Sequence, residues 1–538
     1  MAESESDPRV LGIEGTAWAA SAAVFDAGRD EVWMETEAYR PDSGGIHPRE
    51  AAEHMAEHLP DVVERVLADR GPVDTIAFSR GPGLGPCLRV AGTTARAVAQ
   101  RLDVPLVGVN HMVAHLETGR HRSGFTAPVC LNASGANAHV LAYRNGRYRV
   151  LGETMDTGVG NALDKFARHL GWDHPGGPKV EARAREGEYV ELPYVVKGMD
   201  FSFAGLSSAA QETVDEGTPV ADVCCGLQET VFAMLTEVAE RALALTGRTE
   251  LVLGGGVGQN DRLRGMLASM CEARGAQFHA PEPRFLRDNA GMIAVLGAKM
   301  HRAGDTLPVA ESRVDSDFRP DEAPVTWRDP EAAPPPGTDV IQGAEATVTF
   351  EGSTVEKLRE PRAYRHPDLD ERLRRRRTRR EARLTSAARR AGVPTPLVRD
   401  VDTAGTRLTV QRVGERDLRE GSTTDRVRAV ARHLARLHDA GLVHGDPTVR
   451  NVRAGPAESD DANPVLIDFG LGYDSGHPED RAMDLHAFAR SLEGTADDPE
   501  ALVGAAVEAY RGAAADLTLD AERVLDRLRD IQGRGRYR

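Results

Sequence analysis

Leu251-Val252-Leu253-Gly254-Gly255-Gly256-Val257-Gly258-Gln259-Asn260 joins a short apolar run to a glycine-dense turn. The run has the length of a buried strand. Glycines in the turn let backbone N–H groups approach phosphate oxygens closely. The same order of strand and glycine turn recurs upstream. Residues 10–13 run into Gly12-Ile13-Glu14-Gly15-Thr16, and residues 129–133 into Ser134-Gly135-Ala136-Asn137. Residues 75–78 and 106–109 are further β runs, and 50–67, 93–102 and 223–245 read as helices. Strands alternating with helices predict an α/β architecture. One glycine turn is explained by chain reversal alone, but three across two halves point to a nucleotide held in a cleft.

The 538 residues leave room for three or four domains. The N-terminal residues 1–8 are acidic and polar, without a signal-peptide pattern, and no apolar run reaches membrane-spanning length, so a cytoplasmic protein is expected. Cys87, Cys130, Cys224, Cys225 and Cys271 form no CxxC pair and read as reduced structural thiols. The net charge is −16, and only five of the 67 basic side chains are lysines. An acid-rich, lysine-poor surface suits high salt, where hydrated carboxylates keep a protein soluble; GC-rich codon usage would also exchange Lys for Arg. Residues 340–538 hold 34 basic and 34 acidic residues, so the whole excess lies in residues 1–339, with 33 basic and 49 acidic. A neutral, arginine-rich half beside an acidic one hints at a polyanionic partner. Residues 319–339 are rich in Pro and Asp, lack an apolar period and read as a linker.

His111-Met112-Val113-Ala114-His115 places two histidines four apart, on one face of a helix, as sharing a metal requires. No Glu follows the first His, so the general base of a zinc peptidase is missing. By itself the pair fits a core or surface pair as well as a ligand pair. Its surroundings decide. Residues 107–117 (Val-Gly-Val-Asn-His-Met-Val-Ala-His-Leu-Glu), Ser134-Gly135-Ala136-Asn137, Gly152-Glu153-Thr154-Met155-Asp156, Gly160-Asn161-Ala162-Leu163-Asp164, Pro175-Gly176-Gly177-Pro178-Lys179-Val180-Glu181, Lys197-Gly198-Met199-Asp200-Phe201-Ser202-Phe203, the 254–260 loop and Asp288-Asn289-Ala290 follow in order. Over roughly residues 8–327 this resembles the tRNA N6-adenosine threonylcarbamoyltransferases, the universal family also found in the KEOPS complex.

The resemblance implies a two-lobed actin-like (ASKHA) fold and transfer of a threonylcarbamoyl group from threonylcarbamoyl-adenylate to N6 of the adenosine beside the anticodon, in tRNAs reading ANN codons. It implies an iron or zinc ion held by His111, His115 and Asp288. Where the family often has a tyrosine ligand this chain has Asn132, a weaker oxygen donor. The adenylate would lie on Asn132, Ala133, Ser134, Gly135 and Ala136, with Asp164 and Glu181 on ribose hydroxyls and Gly177 and Asn260 completing the pocket. Without those motifs, Asp164 would read as a helix-face carboxylate paired with Lys165 or Arg168.

The second half carries its own chemistry. His444-Gly445-Asp446-Pro447-Thr448-Val449-Arg450-Asn451 fits the kinase catalytic-loop pattern, with Asp446 as proton acceptor and Asn451 on magnesium. Asp468-Phe469-Gly470 follows, with Asp468 as second magnesium ligand. Lys357 is the only lysine of this half, placed to neutralise ATP phosphates, and Glu381 is its natural partner. A surface pair on a helix is the alternative for Glu381. There is no GxGxxG, and only 13 residues separate Gly470 from Asp484, too few for a full activation segment. With Gln342-Gly343-Ala344-Glu345-Ala346, residues 364–370 and residues 378–384, this half resembles the small RIO-like atypical Ser/Thr kinase of the KEOPS complex, an α+β bilobal domain that several archaea fuse behind the transferase. Gln342, Gly343, Ala344, Glu345 and Ala346 would then line the ATP site with Lys357 and Glu381.

Domains are thus expected at 1–327 (transferase), 328–338 (linker) and 339–538 (kinase or ATPase). Expected partners are tRNA, a separate synthase supplying the adenylate, and the small dimerising and kinase-binding KEOPS subunits. Basic clusters at 372–383 and Gly533-Arg534-Gly535-Arg536-Tyr537-Arg538 suit phosphate contact and base stacking. A metallo-endopeptidase and an ATP-gated scaffold are the competing readings.

Overall fold

The structure is a computed structural model that describes residues 7–39, 46–329, 346–455 and 463–533. The first sheet has β1 (Arg9–Glu14), β2 (Ala19–Asp26), β3 (Glu31–Ala38), β4 (Thr75–Gly81) and β5 (Leu106–Asn110), in the order β3-β2-β1-β4-β5. β1, β2 and β3 pair antiparallel, while β4 runs parallel to β1 and β5 parallel to β4. The second sheet repeats this plan. It has β6 (Val129–Ala133), β7 (Ala138–Arg144), β8 (Arg147–Glu153), β11 (Glu250–Gly254) and β12 (Gln277–His279), in the order β8-β7-β6-β11-β12; the ribbon of β9 (Val196–Lys197) and β10 (Asp200–Phe201) lies between β8 and β11 in sequence. β6 to β8 are antiparallel, and β11 and β12 continue parallel to β6. One topology used twice is the duplicated, two-lobed actin-like architecture that the resemblance implied.

The helices His111–Ser123 and Ala290–Arg302 share one buried core with residues of both sheets, among them Val10, Val109, Leu141 and Val252. The close fit has a cause at Gly12, where a Cβ would stand 2.3 Å from the Ala290 carbonyl oxygen and 2.7 Å from Ala294 N. That glycine lies inside β1, before the turn, and admits a helix. The 319–339 stretch departs from expectation. Ala323 and Val325 are buried against the first half and Val325 N–H donates to the Gly146 carbonyl, so its described part, up to residue 329, packs as part of the body.

The second half has an antiparallel sheet of β13 (Thr347–Glu351), β14 (Thr354–Leu358), β15 (Val398–Asp402) and β16 (Arg407–Gln411), in the order β13-β14-β16-β15. The helix Pro367–Arg390 packs against it, and a mainly helical lobe follows. The α+β expectation therefore holds. Tyr364, Leu369 and Leu373 join the apolar core of the first half, and Leu245 joins that of the second.

The helix Val220–Thr246 carries acidic side chains into the contact between the halves. Its Glu237 is fully buried and accepts from Arg365 (2.7 Å), Arg377 (2.9 and 3.1 Å) and Tyr194 (2.6 Å). Glu240 accepts from Tyr364 (3.0 Å), and Arg419 donates to the last carbonyls of the helix, Ala244 and Leu245. Arginines of the second half thus neutralise glutamates of the first. This narrows the reading of the 372–383 cluster as a phosphate-contact surface: Arg377 is interface, and Arg372, Arg374, Arg375 and Arg383 have carboxylate partners. Arg376, Arg379 and Arg380 have none among the described residues.

Candidate functional site

Asn110 caps the histidine helix, its Oδ1 accepting from Met112 N and Val113 N, and so fixes His111 at the first helical position. His111 Nε2 and His115 Nε2 lie 3.1 and 3.3 Å from the same Asp288 oxygen. The ligand atoms of all three residues fall within 4.8 Å of one another. Two imidazoles and a carboxylate converging on one point form a donor set that a transition metal satisfies. Burial works against a charged His111, but Glu14 and Asp288 outweigh it and lift its pKa to about 10. Burial holds His115 below its usual value.

Glu14 is the residue that sequence reasoning missed. It is fully buried, and its Oε2 lies 3.1 Å from His111 Nδ1 and accepts from Ser79 Oγ, while its Oε1 accepts from Thr16 N (2.8 Å) and Thr16 Oγ1 (2.5 Å). A carboxylate so filled with donors calls for a proton on Nδ1, which leaves the Nε2 lone pair for a metal. Its sequence signal was a carboxylate inside an otherwise apolar strand end. Glu14→Gln is expected to weaken metal binding about 10- to 100-fold, the usual cost of losing an outer partner of a ligand histidine. Competition against a chelator measures it, and unchanged affinity would show that Glu14 serves only the core.

Asn132 is the last but one residue of β6, opposite Gly254 of β11. It is buried; among the described residues its Oδ1 has no hydrogen-bond partner and its Nδ2 meets only Met112 Sδ at 3.5 Å. A Cβ on Gly254 would stand 3.3 Å from that oxygen and 3.4 Å from His115 Cβ, so the amide and the histidine share one corner. Gly255 has φ +85° and presses on the Ala133 carbonyl, where a Cβ would be 2.3 Å away. The glycine turns thus close over the carboxyl ends of β6 and β11, the usual crevice of such sheets. Ser134 Oγ and N–H both bond to the Asn137 carbonyl, which shapes the 134–137 turn.

The other expected contacts carry internal bonds. Asp164 accepts from Gly176 N (2.6 Å) and lies 3.2 Å from His174 Nδ1, not against Lys165 or Arg168. Glu181 Oε1 accepts from Asp261 N (3.2 Å) and Arg185. Asn260 caps the helix Asp261–Ala273 and donates to Gln228, while Gly177 opens the helix Gly177–Ala184.

In the second half, Lys357 Nζ bonds both oxygens of the buried Glu381 at 3.0 Å and lies 2.7 Å from Asp468. Glu381 is therefore no surface pair. Arg359, two residues on from Lys357 and 1% exposed, also reaches Glu381. Asn451 Nδ2 donates to Asp446 Oδ2 (2.9 Å) and to its carbonyl. Asp484 accepts from His444 N and Gly445 N, bracing the catalytic loop from its helix. Ala346 lines the same pocket. Gln342, Gly343, Ala344 and Glu345, and Arg534, Arg536 and Arg538 of the tail, lie outside the described residues.

Fold and site together define a fusion of an actin-like, metal-binding transferase with a kinase-type phosphotransferase. Comparison with known proteins sharpens this. The sequence model of the tRNA N6-adenosine threonylcarbamoyltransferases matches residues 30–295, and that of the lipopolysaccharide kinase (Kdo/WaaP) family matches residues 408–510. The chain is 70% identical over 534 residues to the "Probable bifunctional tRNA threonylcarbamoyladenosine biosynthesis protein" of Halobacterium salinarum, covering 98% of both. Identity to the like-named proteins of Haloarcula marismortui and Methanospirillum hungatei is 66% and 48%, over 98% of this chain and 100% and 99% of theirs. The chain belongs to the family of bifunctional tRNA threonylcarbamoyladenosine biosynthesis proteins. No helix among the described residues is long and apolar enough to cross a membrane.

Proposed function

We propose that the first half transfers a threonylcarbamoyl group from threonylcarbamoyl-adenylate to N6 of the adenosine beside the anticodon in tRNAs reading ANN codons, and that the second half turns over ATP to support it. The observation that carries this is the convergence of His111, His115 and Asp288 beside the glycine turns at the ends of β6 and β11. Iron or zinc held by these three, with the free Asn132 oxygen as a further donor, supplies a Lewis acid for the carbamoyl carbonyl. Ala133, Ser134, Gly135 and Ala136 line the adenylate, and Gly177 and Asn260 close its pocket. Glu181 keeps Oε2 for a ribose hydroxyl, and Asp164 offers the second lone pairs of oxygens that already face Gly176 N and His174 Nδ1.

In the second half Lys357 neutralises ATP phosphates, Asn451 and Asp468 hold magnesium, and Asp446 takes the proton of the accepting group. A separate synthase, the small dimerising subunit and the kinase-binding subunit of a KEOPS-type assembly complete the system, in the cytoplasm and at high salt. Incorporation of labelled threonine into tRNA by the purified chain with synthase and partner subunits tests the whole reading; failure there refutes it. The peptidase alternative is disfavoured by the carboxylates at hand. Glu117, on the histidine helix, is bound by Arg120 (2.9 Å) and Lys299 (2.7 Å), and Glu14 is filled as described.

Arg376, Arg379 and Arg380 supply a face for the tRNA backbone. Burial and neighbouring arginines hold Arg376 and Arg380 below the usual guanidinium range, so an anion there relieves repulsion. Changing all three to glutamate is expected to weaken tRNA binding at least about tenfold and to lower the slope of log affinity against log salt by about 2 to 3. An unchanged slope in a filter-binding titration would move the contact elsewhere.

A further inference from the structure

Arg241 belongs to the transferase half, yet it reaches into the ATP site of the other. Its Nη1 lies 3.3 Å from Asp446 Oδ2, the proton acceptor of the catalytic loop. It lines one pocket with Lys357, Glu381, Asp468 and Asn451. The guanidinium is held before any nucleotide arrives. Nη2 pairs with Glu237, one turn back on the helix, at 3.2 Å, and Nη1 donates to the Gly198 carbonyl at 3.1 Å. The same Gly198 donates its N–H to the Gly445 carbonyl at 2.6 Å, so the peptide that positions Arg241 is itself registered to the catalytic loop. Only 7% of the side chain is exposed.

A pre-positioned, desolvated guanidinium is what phosphoryl transfer uses. The transition state is loose, and catalysis is mostly positioning and stabilisation of charge on the equatorial oxygens. We propose that Arg241 acts across the domain boundary as the cation that stabilises the γ-phosphoryl group during ATP turnover, making the kinase-type site complete only when docked on the transferase half. The inference rests on the ATP-turnover reading above. In hydrolysis the water oxygen bonds to the γ-phosphorus, the bond from that phosphorus to the β–γ bridging oxygen breaks, ADP leaves with that electron pair, and the water proton passes to Asp446. Arg241 takes no proton; it faces the charge that develops.

The test uses the full chain and follows phosphate release from ATP with magnesium for the wild type, Arg241→Ala, Arg241→Lys, Arg450→Ala and Lys357→Ala. Arg241→Ala is expected to lower kcat about 1,000-fold with the KM for ATP within about threefold, a loss at the low end of what a trans-acting arginine supplies. Arg241→Lys should fall between, because lysine keeps the charge but not the planar fork. Added guanidinium ion should restore part of the Arg241→Ala rate, which a merely structural defect would not allow. An unfolding midpoint in denaturant within the range of an ordinary substitution shows that the same preparation is folded and docked. An unchanged kcat overturns the proposal, as does a raised one, which would make Arg241 a brake on Asp446. Loss in Arg450→Ala with none in Arg241→Ala moves the duty to Arg450, on the same pocket wall, and also overturns it. If Lys357→Ala is as active as wild type, the ATP-turnover reading itself fails, an outcome distinct from failure of Arg241 alone.

Discussion

Replacing His111 by alanine is expected to empty the metal site and to lower threonine incorporation by about a thousandfold or more. The reasoning is electrostatic. His111 sits between the fully buried Glu14 on Nδ1 and the partly buried Asp288 on Nε2, each at 3.1 Å. Removing it takes away one metal donor and leaves Glu14 and Asp288 without the imidazole between them. A Lewis acid contributes several kcal/mol at a developing oxyanion, and about 4 kcal/mol is a thousandfold in rate. Metal analysis of the dialysed variant should give well under one ion per chain. A variant that holds a full ion and still modifies tRNA would remove His111 from the ligand set and, with it, the chemistry assigned to this corner.

The pair His111 and His115 was legible because four-residue spacing on a helix is a geometric statement. Lys357 was legible because lysine is so scarce in this chain that one kept in a strand stands out. β1, β6 and β11 were legible because each ends in a glycine turn. β2, by contrast, is Ala-Ala-Ser-Ala-Ala-Val-Phe-Asp, buried on both faces and too rich in alanine to show a strand period. The helix Gly85–Leu102 starts eight residues before residue 93, where its helical pattern becomes readable, because Gly85, Pro86 and Gly92 look like breakers; Pro86 instead occupies the first turn, where a proline is well accommodated. Glu14 and Arg241 escaped for a different reason. Their partners, His111 and Asp446, are brought to them only by the tertiary fold. What the sequence did hold was a clue of another kind: Glu229, Glu237, Glu240 and Arg241 lie in a helix with almost no polar face. Charges there must find partners on another element.

Glu237 turns that clue into the largest expected effect on stability. Glu237→Ala would leave Arg365, Arg377 and Arg241 crowded around a vacated carboxylate in a buried interface. Breaking a buried pair by removing one partner costs about 3–5 kcal/mol, because the uncompensated charge cannot regain its hydration. The loss falls on the contact between the halves, so a single unfolding transition in the wild type should split, with the second half released at lower denaturant. Glu237→Gln keeps an acceptor but no charge and should show most of the loss, separating charge from hydrogen bonding. Replacing Glu237, Arg365 and Arg377 together by apolar residues of similar volume should recover much of it, since desolvation and attraction nearly cancel in intact buried pairs. If Glu237→Ala shifts unfolding by less than about 0.5 kcal/mol, the range of an ordinary surface substitution, then solvent reaches these arginines and the acidic helix does not hold the halves together. If the full loss appears, the acidic first half and the arginine-rich second half are two sides of one interface, and the charge imbalance along the chain records docking as much as adaptation to salt.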